Sequence, residues 1–137
     1  MKEKATTKDT STTRAVGRRK AASARVRLSL GKGIVTINGK ELTQYFKTPI
    51  LQQTATAPLR TVGRQDSLDV SVKVVGGGTT GQAGAVRHGI ARALVAWDET
   101  LKPMLKAEGF MTRDARSKER KKFGQPKARR GRQWRKR

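Results

Sequence analysis

Leu68-Asp-Val-Ser-Val-Lys-Val-Val-Gly-Gly-Gly-Thr-Thr-Gly-Gln-Ala-Gly-Ala-Val-Arg-His-Gly-Ile-Ala-Arg-Ala-Leu94 contains a strand, a glycine turn and a helix in one unbroken run. Residues 68–75 alternate apolar with polar, the period of a strand with one face on a core. Gly76-Gly77-Gly78 breaks that period, and Thr79-Thr80 are the residue types expected to cap a helix running to about Trp97. Ala83, Val86, Ile90, Ala93, Leu94 and Trp97 recur at helical spacing and predict a stripe packed on the sheet. Arg87, His88 and Arg92 fall off that stripe.

Upstream, Arg25-Val-Arg-Leu-Ser-Leu30 also alternates, so its outer face is cationic. Gly31-Lys-Gly33 reads as a turn into the β-branched run Ile34-Val-Thr-Ile37, which predicts a hairpin between these two runs. Asn38-Gly39 turns the chain again. Residues 41–46 are a short helical candidate limited by Pro49, and residues 50–59 a second helix or loop around Pro58. Beyond Trp97, residues 99–107 form a helix that Pro103 can start, and Gly109 ends it. Strands followed by strand, helix and helix predict an α+β fold, a small sheet with helices packed on it.

The 137 residues carry a net charge of +22, unevenly placed. Residues 113–137 hold thirteen Lys/Arg and two acids, residues 1–30 nine and two, and residues 31–112 ten and six. The middle therefore composes like an ordinary domain, and both ends are polycationic. Three parts are expected: a disordered arm at 1–13, a globular core at 14–112 and an extended basic tail at 113–137. The tail's apolar residues, Phe123, Trp134 and a few Ala, cannot offset the roughly 1–2 kcal/mol per residue that ordering its backbone costs. Fully extended it would reach roughly 80 Å at ~3.3 Å per residue, far enough to thread into a folded RNA.

A polycation of this density is matched by nucleic acid, since each phosphate neutralised releases condensed counterions. The candidate phosphate contacts are Arg18, Arg19, Lys20, Arg25 and Arg27 at the N-terminal end of the core and Arg87 and Arg92 on the helix. In the tail they are Arg113, Arg116, Lys118, Arg120, Lys121, Lys122, Lys127, Arg129, Arg130 and Arg132. Phe123 and Trp134 are interleaved with these cations in a pattern suited to stacking on bases or riboses. A membrane-active helix is disfavoured, because Gly124, Pro126 and Gly131 interrupt any apolar face.

Enzyme readings find little footing. The triple glycine lacks the Gly-Lys-Ser/Thr ending of a nucleotide loop, with Gln82-Ala83 after Gly81 instead, and reads either as tight packing or as a phosphate contact. His88 is the only histidine and cysteine is absent, so neither a metal set nor a nucleophile dyad can form, and His88 reads as a surface or RNA-facing residue. Asp98 and Glu99 stand where helix capping explains them. No cofactor, small-molecule substrate or disulfide is expected. No apolar run approaches the ~20 residues needed to span a bilayer, and a cytoplasmic location is expected.

Five blocks resemble one family, bacterial-type small ribosomal subunit protein nine. They are Gly17-Arg-Arg-Lys-Ala-Ala-Ser-Ala-Arg-Val26, the glycine and helix stretch from Gly76 to Leu94, Leu105-Lys-Ala-Glu-Gly-Phe-Met-Thr-Arg-Asp114, Glu119-Arg-Lys-Lys122 and the closing Lys136-Arg137. The resemblance implies a structural protein of the small-subunit head that binds ribosomal RNA and neighbouring head proteins. It implies a core like the second domain of ribosomal protein five, with a left-handed βαβ crossover. It further implies a tail reaching the peptidyl-site tRNA, where Arg135, Lys136 and Arg137 would touch the anticodon stem-loop backbone. Arg132, Trp134 and Arg135 depart from the Pro, Tyr and Ser of the family pattern, and Gln125-Pro126 replaces Leu-His. Competing readings are an RNA- or DNA-binding architectural protein outside the ribosome and a protein helper of an RNA enzyme.

Overall fold

The computed structural model describes residues 12–135. Lys136 and Arg137, and all of the 1–13 arm except its last two residues, lie outside the described residues. Five strands form one mixed sheet: β1 (Thr13–Arg19), β2 (Ala22–Leu30), β3 (Val35–Ile37), β4 (Lys40–Glu41) and β5 (Leu68–Val75), in the order β1-β2-β5-β3-β4. The helices are α1 (Leu42–Tyr45), α2 (Pro49–Val62), α3 (Thr79–Trp97) and α4 (Lys102–Ala107), the last entered through a 3-10 turn at Glu99–Leu101. The expected α+β architecture is present.

Alternation decides which face is covered. Ala22, Ala24, Val26 and Leu28 of β2 and Leu68, Val70, Val72 and Val74 of β5 are all buried, and they join Ile37, Phe46, Ala55, Leu59, Val86, Ile90, Leu94 and Leu105 in one core. The residues between them, Arg25, Arg27, Ser71 and Lys73, are exposed. The helices therefore pack on one side of the sheet and leave the other open.

The predicted hairpin between 25–30 and 34–37 does not form. β2 pairs antiparallel with β5 over Ser23–Leu30, and β3 pairs parallel with β5 on its other edge, Val35 opposite Val70. The turn at 31–33 carries the chain past β5 instead of folding β3 back onto β2. Asp69 holds that crossing in place, its carboxylate accepting from the backbone N–H of Lys32 at 2.8 Å and of Ile34 at 2.9 Å. What β2 does pair with upstream is β1, through the two-residue turn Lys20-Ala21 in which Lys20 has φ 52°. The strand at 13–19 has no counterpart in the sequence reading.

Asn38-Gly39 turns β3 into β4 with both residues left-handed, φ 51° and 79°, as a type I′ hairpin requires. Asn38 also extends the sheet: its Nδ2 donates to the Val74 carbonyl at 3.1 Å and its Oδ1 accepts from the Val74 N–H at 2.9 Å. The side chain thus continues the β3–β5 ladder where the main chain leaves it. Residues 50–59 belong to the continuous α2, which Pro49 starts and which runs through Pro58. Pro58 lacks an N–H for the ladder, but it is buried with Ala55 and Leu59, and that packing holds the helix.

The N-cap of α3 is Gly78, in extended conformation, and Thr79 and Thr80 already lie inside the helix with no capping bond. The expected stripe packs as read, with Ala83, Val86, Ile90, Ala93 and Leu94 buried and Trp97 partly so. A second line of small residues, Gly81, Ala85 and Gly89 at i, i+4 and i+8, is buried as well. Each glycine in a helix interior costs about 1 kcal/mol relative to alanine, so this helix is held by what it packs against. Gly89 meets Gly17 of β1 backbone to backbone: a Cβ on Gly17 would stand 2.0 Å from the Ala85 oxygen and 2.2 Å from the Gly89 nitrogen.

Candidate nucleic-acid interface

Strand register brings the cations of the open sheet face together. Arg14 of β1 stands opposite Arg27 of β2, and Val16 opposite Arg25; across β2, Arg27 faces Ser71 and Arg25 faces Lys73 of β5. Two like-charged pairs therefore lie directly across the strands, Arg14 with Arg27 and Arg25 with Lys73. All four cations are exposed, and among the described residues none has an acidic partner. They line a concavity of about 750 Å³ with Val16, Asn38, Gly39 and Ser71. Such pairs are destabilising by several tenths of a kcal/mol each unless an anion sits between them.

The nearest carboxylates do not compensate. Asp69 is committed to the turn at 31–34, and the Ile34 N–H it accepts holds its carboxyl below the usual carboxylate range. Glu41 lies across from Thr36, on the far side of β3. Sequence reading found Arg25 and Arg27 but missed Arg14 and Lys73. The alternation of residues 68–75 signals Lys73 on a solvent face, yet only the pairing of β5 with β2 sets it beside Arg25.

The two adjacent arginines of β1 diverge because strand neighbours project to opposite faces. Arg18 is exposed on the open side, in register with Ser23. Arg19 turns to the helix side, lies over Gly84 and pairs with Asp114 at 3.5 Å. Lys20 is exposed at the turn.

At the free edge of β1 a second cationic site forms, a notch of about 460 Å³ lined by Val16, Arg18, His88, Arg92 and Arg113. Arg92 Nη1 donates to the Val16 carbonyl at 2.6 Å, so the helix side chain clips the outer edge of the strand. Arg87 is not in the notch; its guanidinium lies 5.7 Å from the Phe110 ring centre, a cation–π contact. His88 is partly buried and its Nδ1 is buried without a hydrogen-bond partner. Burial first, and the positive charges of Arg92, Arg113 and Arg87 after it, lower the His88 pKa, with a contact to the Met111 backbone opposing them.

That shift fixes a sign. With its folded pKa below the unfolded 6.5, His88 binds a proton more readily in the unfolded chain, so stability falls as pH drops through 6.5 and recovers above it. Denaturation midpoints at pH 8 and pH 5.5 should differ in the natural chain, and His88→Gln should shrink that difference. An unchanged difference would show that the imidazole is not held neutral by its surroundings.

The glycine turn is explained by packing. Gly76 and Gly77 have φ 77° and 66°, and a Cβ on Gly76 would stand 2.6 Å from the Ala21 carbonyl oxygen at the β1–β2 turn. Glycine is needed there to let the turn close against β2. Tyr45 Oη donates to Gln82 Oε1 at 2.7 Å and Gln82 Nε2 donates to the Gly76 carbonyl at 3.1 Å, tying the start of α3 to α1.

Residues 113–135 contain no helix or strand. Asp114 accepts from Arg116, Nε at 3.0 Å and Nη2 at 2.9 Å, and pairs with Arg19; these cations hold its carboxyl far below the carboxylate range. Glu119 is shared by Lys122 and by Arg129 at 2.8 Å. Pairs this exposed contribute little and exchange readily. Arg113, Lys118, Arg120, Lys121, Lys127, Arg130, Arg132 and Arg135 are exposed with no acidic partner among the described residues. Phe123 and Trp134 are 97% and 95% exposed, so both rings are available for stacking.

Among the described residues no three His, Asp or Glu side chains converge as metal ligands, and no helix is long and apolar enough to cross a membrane. A family model described as ribosomal protein S9/S16 matches residues 17–137, from the middle of β1 to the last residue.

Proposed function

Because this chain belongs to the ribosomal protein S9/S16 family, we propose that it is a non-catalytic structural protein of a cytoplasmic small ribosomal subunit, seated in its head on ribosomal RNA. The observation that supports RNA contact most directly is the sheet face opposite the helices, where like charges face each other across strands with no acid between them among the described residues. A polyanion resolves that repulsion, and phosphates supply it. Arg18, Lys20, Arg25 and Arg27 grip phosphates from the core, joined by Arg14 and Lys73. Arg116, Lys122 and Arg129 exchange their exposed intrachain acids for phosphates on binding. Arg19 and Arg87 act through position, the first anchoring the start of the tail and the second holding Phe110 to α3.

The tail threads into the RNA, and Arg135, Lys136 and Arg137 hold the backbone of the peptidyl-site tRNA without reading its sequence, since phosphate contacts carry no base information. We further assign the core to the type found in the second domain of ribosomal protein five. Support for this comes from β3 and β5, which run parallel with α1 and α2 between them, the connectivity of a βαβ unit.

Two deletions test these assignments separately. Removing residues 113–137 should release the chain from small subunits in a high-salt wash that the full chain survives, and should cut the salt slope of its RNA affinity by about half or more. Removing only Lys136 and Arg137 should leave subunit association intact and weaken tRNA retention in the peptidyl site. Retention of tRNA unchanged at low salt would exclude the tip from that contact.

A further inference from the structure

Three elements that are distant in sequence deliver one guanidinium each to the notch at the free edge of β1: Arg18 from the strand, Arg92 from α3 and Arg113 from the segment after α4. Among the described residues no carboxylate lines it. The nearest acid in sequence, Asp114, is taken by Arg19 and Arg116. Three like charges around one concavity repel each other in the unbound chain, and no acidic side chain among the described residues separates them.

We propose that this notch is a binding site for a single phosphodiester group of an RNA strand, gripped by Arg18, Arg92 and Arg113 with the His88 ring beside it. The proposal rests on the RNA-binding reading above and adds a defined seat to it. Arg92 is already oriented, since its bond to the Val16 carbonyl uses one of five N–H donors and fixes the plane of the rest. Arg18 and Arg113 are exposed and without acidic partners among the described residues, so both can close on an oxygen. The volume, about 460 Å³, exceeds that of one phosphate and leaves room for its flanking sugars.

His88 supplies a titratable ring as well as a wall. The imidazole lines the notch with Arg18, Arg92 and Arg113, so a phosphate seated there is a close negative charge that favours the protonated ring. Bound phosphate also cancels the arginine field that disfavours the imidazolium. The ring therefore changes charge preference when the notch fills.

Because His88 is the only histidine in the chain, its ring-proton resonance reports on the notch alone. The test titrates the full chain by NMR with and without a short oligouridylate, and follows binding of the same RNA by fluorescence anisotropy. RNA should raise the His88 pKa by about one, as a close opposite charge does. The double variant Arg18→Met/Arg113→Met, which keeps the Arg92 clip and hence the fold, should bind RNA with a salt slope reduced by about one or two. In that variant RNA should leave the His88 pKa where it was. RNA that binds without moving His88, or that moves it equally in the double variant, overturns the notch assignment while leaving RNA binding intact. Absence of RNA binding by anisotropy overturns the wider reading together with this one.

Discussion

A single methyl group on Gly17 should strongly destabilise the protein. In Gly17→Ala the new Cβ would stand 2.0 Å from the Ala85 oxygen and 2.2 Å from the Gly89 nitrogen, and both are main-chain atoms of α3. No side chain can rotate away, so β1 and α3 must separate along the line where Gly81, Ala85 and Gly89 let them touch. Overpacking a core costs 1–3 kcal/mol when neighbours can adjust; here they cannot, and we expect about 3 kcal/mol or more. For a domain stable by about 5–15 kcal/mol, that is a large share. Gly131→Ala, with nothing within 4 Å of its added Cβ, should change stability by less than about 0.5 kcal/mol. Equal denaturant midpoints for Gly17→Ala and the natural chain would refute the close approach of strand and helix.

Neutralising the open sheet face should move binding and stability in opposite directions. Replacing Arg14, Arg25, Arg27 and Lys73 by Gln removes four cations from one concavity. At about 0.7–0.9 per phosphate contact the salt slope should fall by about three, which near 0.1 M salt is about a thousandfold in RNA affinity. The same substitutions remove two like-charged cross-strand pairs, so the free protein should unfold at a higher temperature, by several tenths of a kcal/mol per pair. A purely structural role for these side chains predicts the reverse, a less stable protein with unchanged affinity. Anisotropy across a salt series and thermal unfolding of the same variant decide between them.

Elements with strong local signals were legible in the sequence. The alternation of 68–75, the stripe from Ala83 to Trp97 and the Asn38-Gly39 turn all appear as read, because each depends on neighbours a few residues away. The hairpin assigned to 25–37 failed for a physical reason: β3 finds its partner 35 residues downstream, and nothing in Ile34-Val-Thr-Ile37 records which strand will lie beside it. β1 was hidden because the cations Arg18-Arg19-Lys20 read as a charge run, although they straddle both faces of a strand and its turn.

Much the same division holds for the site. Composition identified the polycationic ends, and alternation identified Arg25 and Arg27. The pairing of Arg25 with Lys73 and the meeting of Arg18, Arg92 and Arg113 exist only after the strands and α3 have assembled. His88 read as a surface or RNA-facing residue; it is half-covered, with its environment set by Arg87 and Arg92 of α3 and by Met111 and Arg113 after α4.

Strand order also constrains how the chain can come together during synthesis. β2 and β3 are separated by only four residues, yet β5, which starts about thirty residues after β3 ends, must slide between them before either edge is satisfied. An emerging nascent chain therefore holds two small hairpins, β1–β2 and β3–β4, each too slight to persist by itself. Closure must wait until Val75 has cleared the exit tunnel, and until then the apolar sides of both hairpins are surfaces for chaperones to shield.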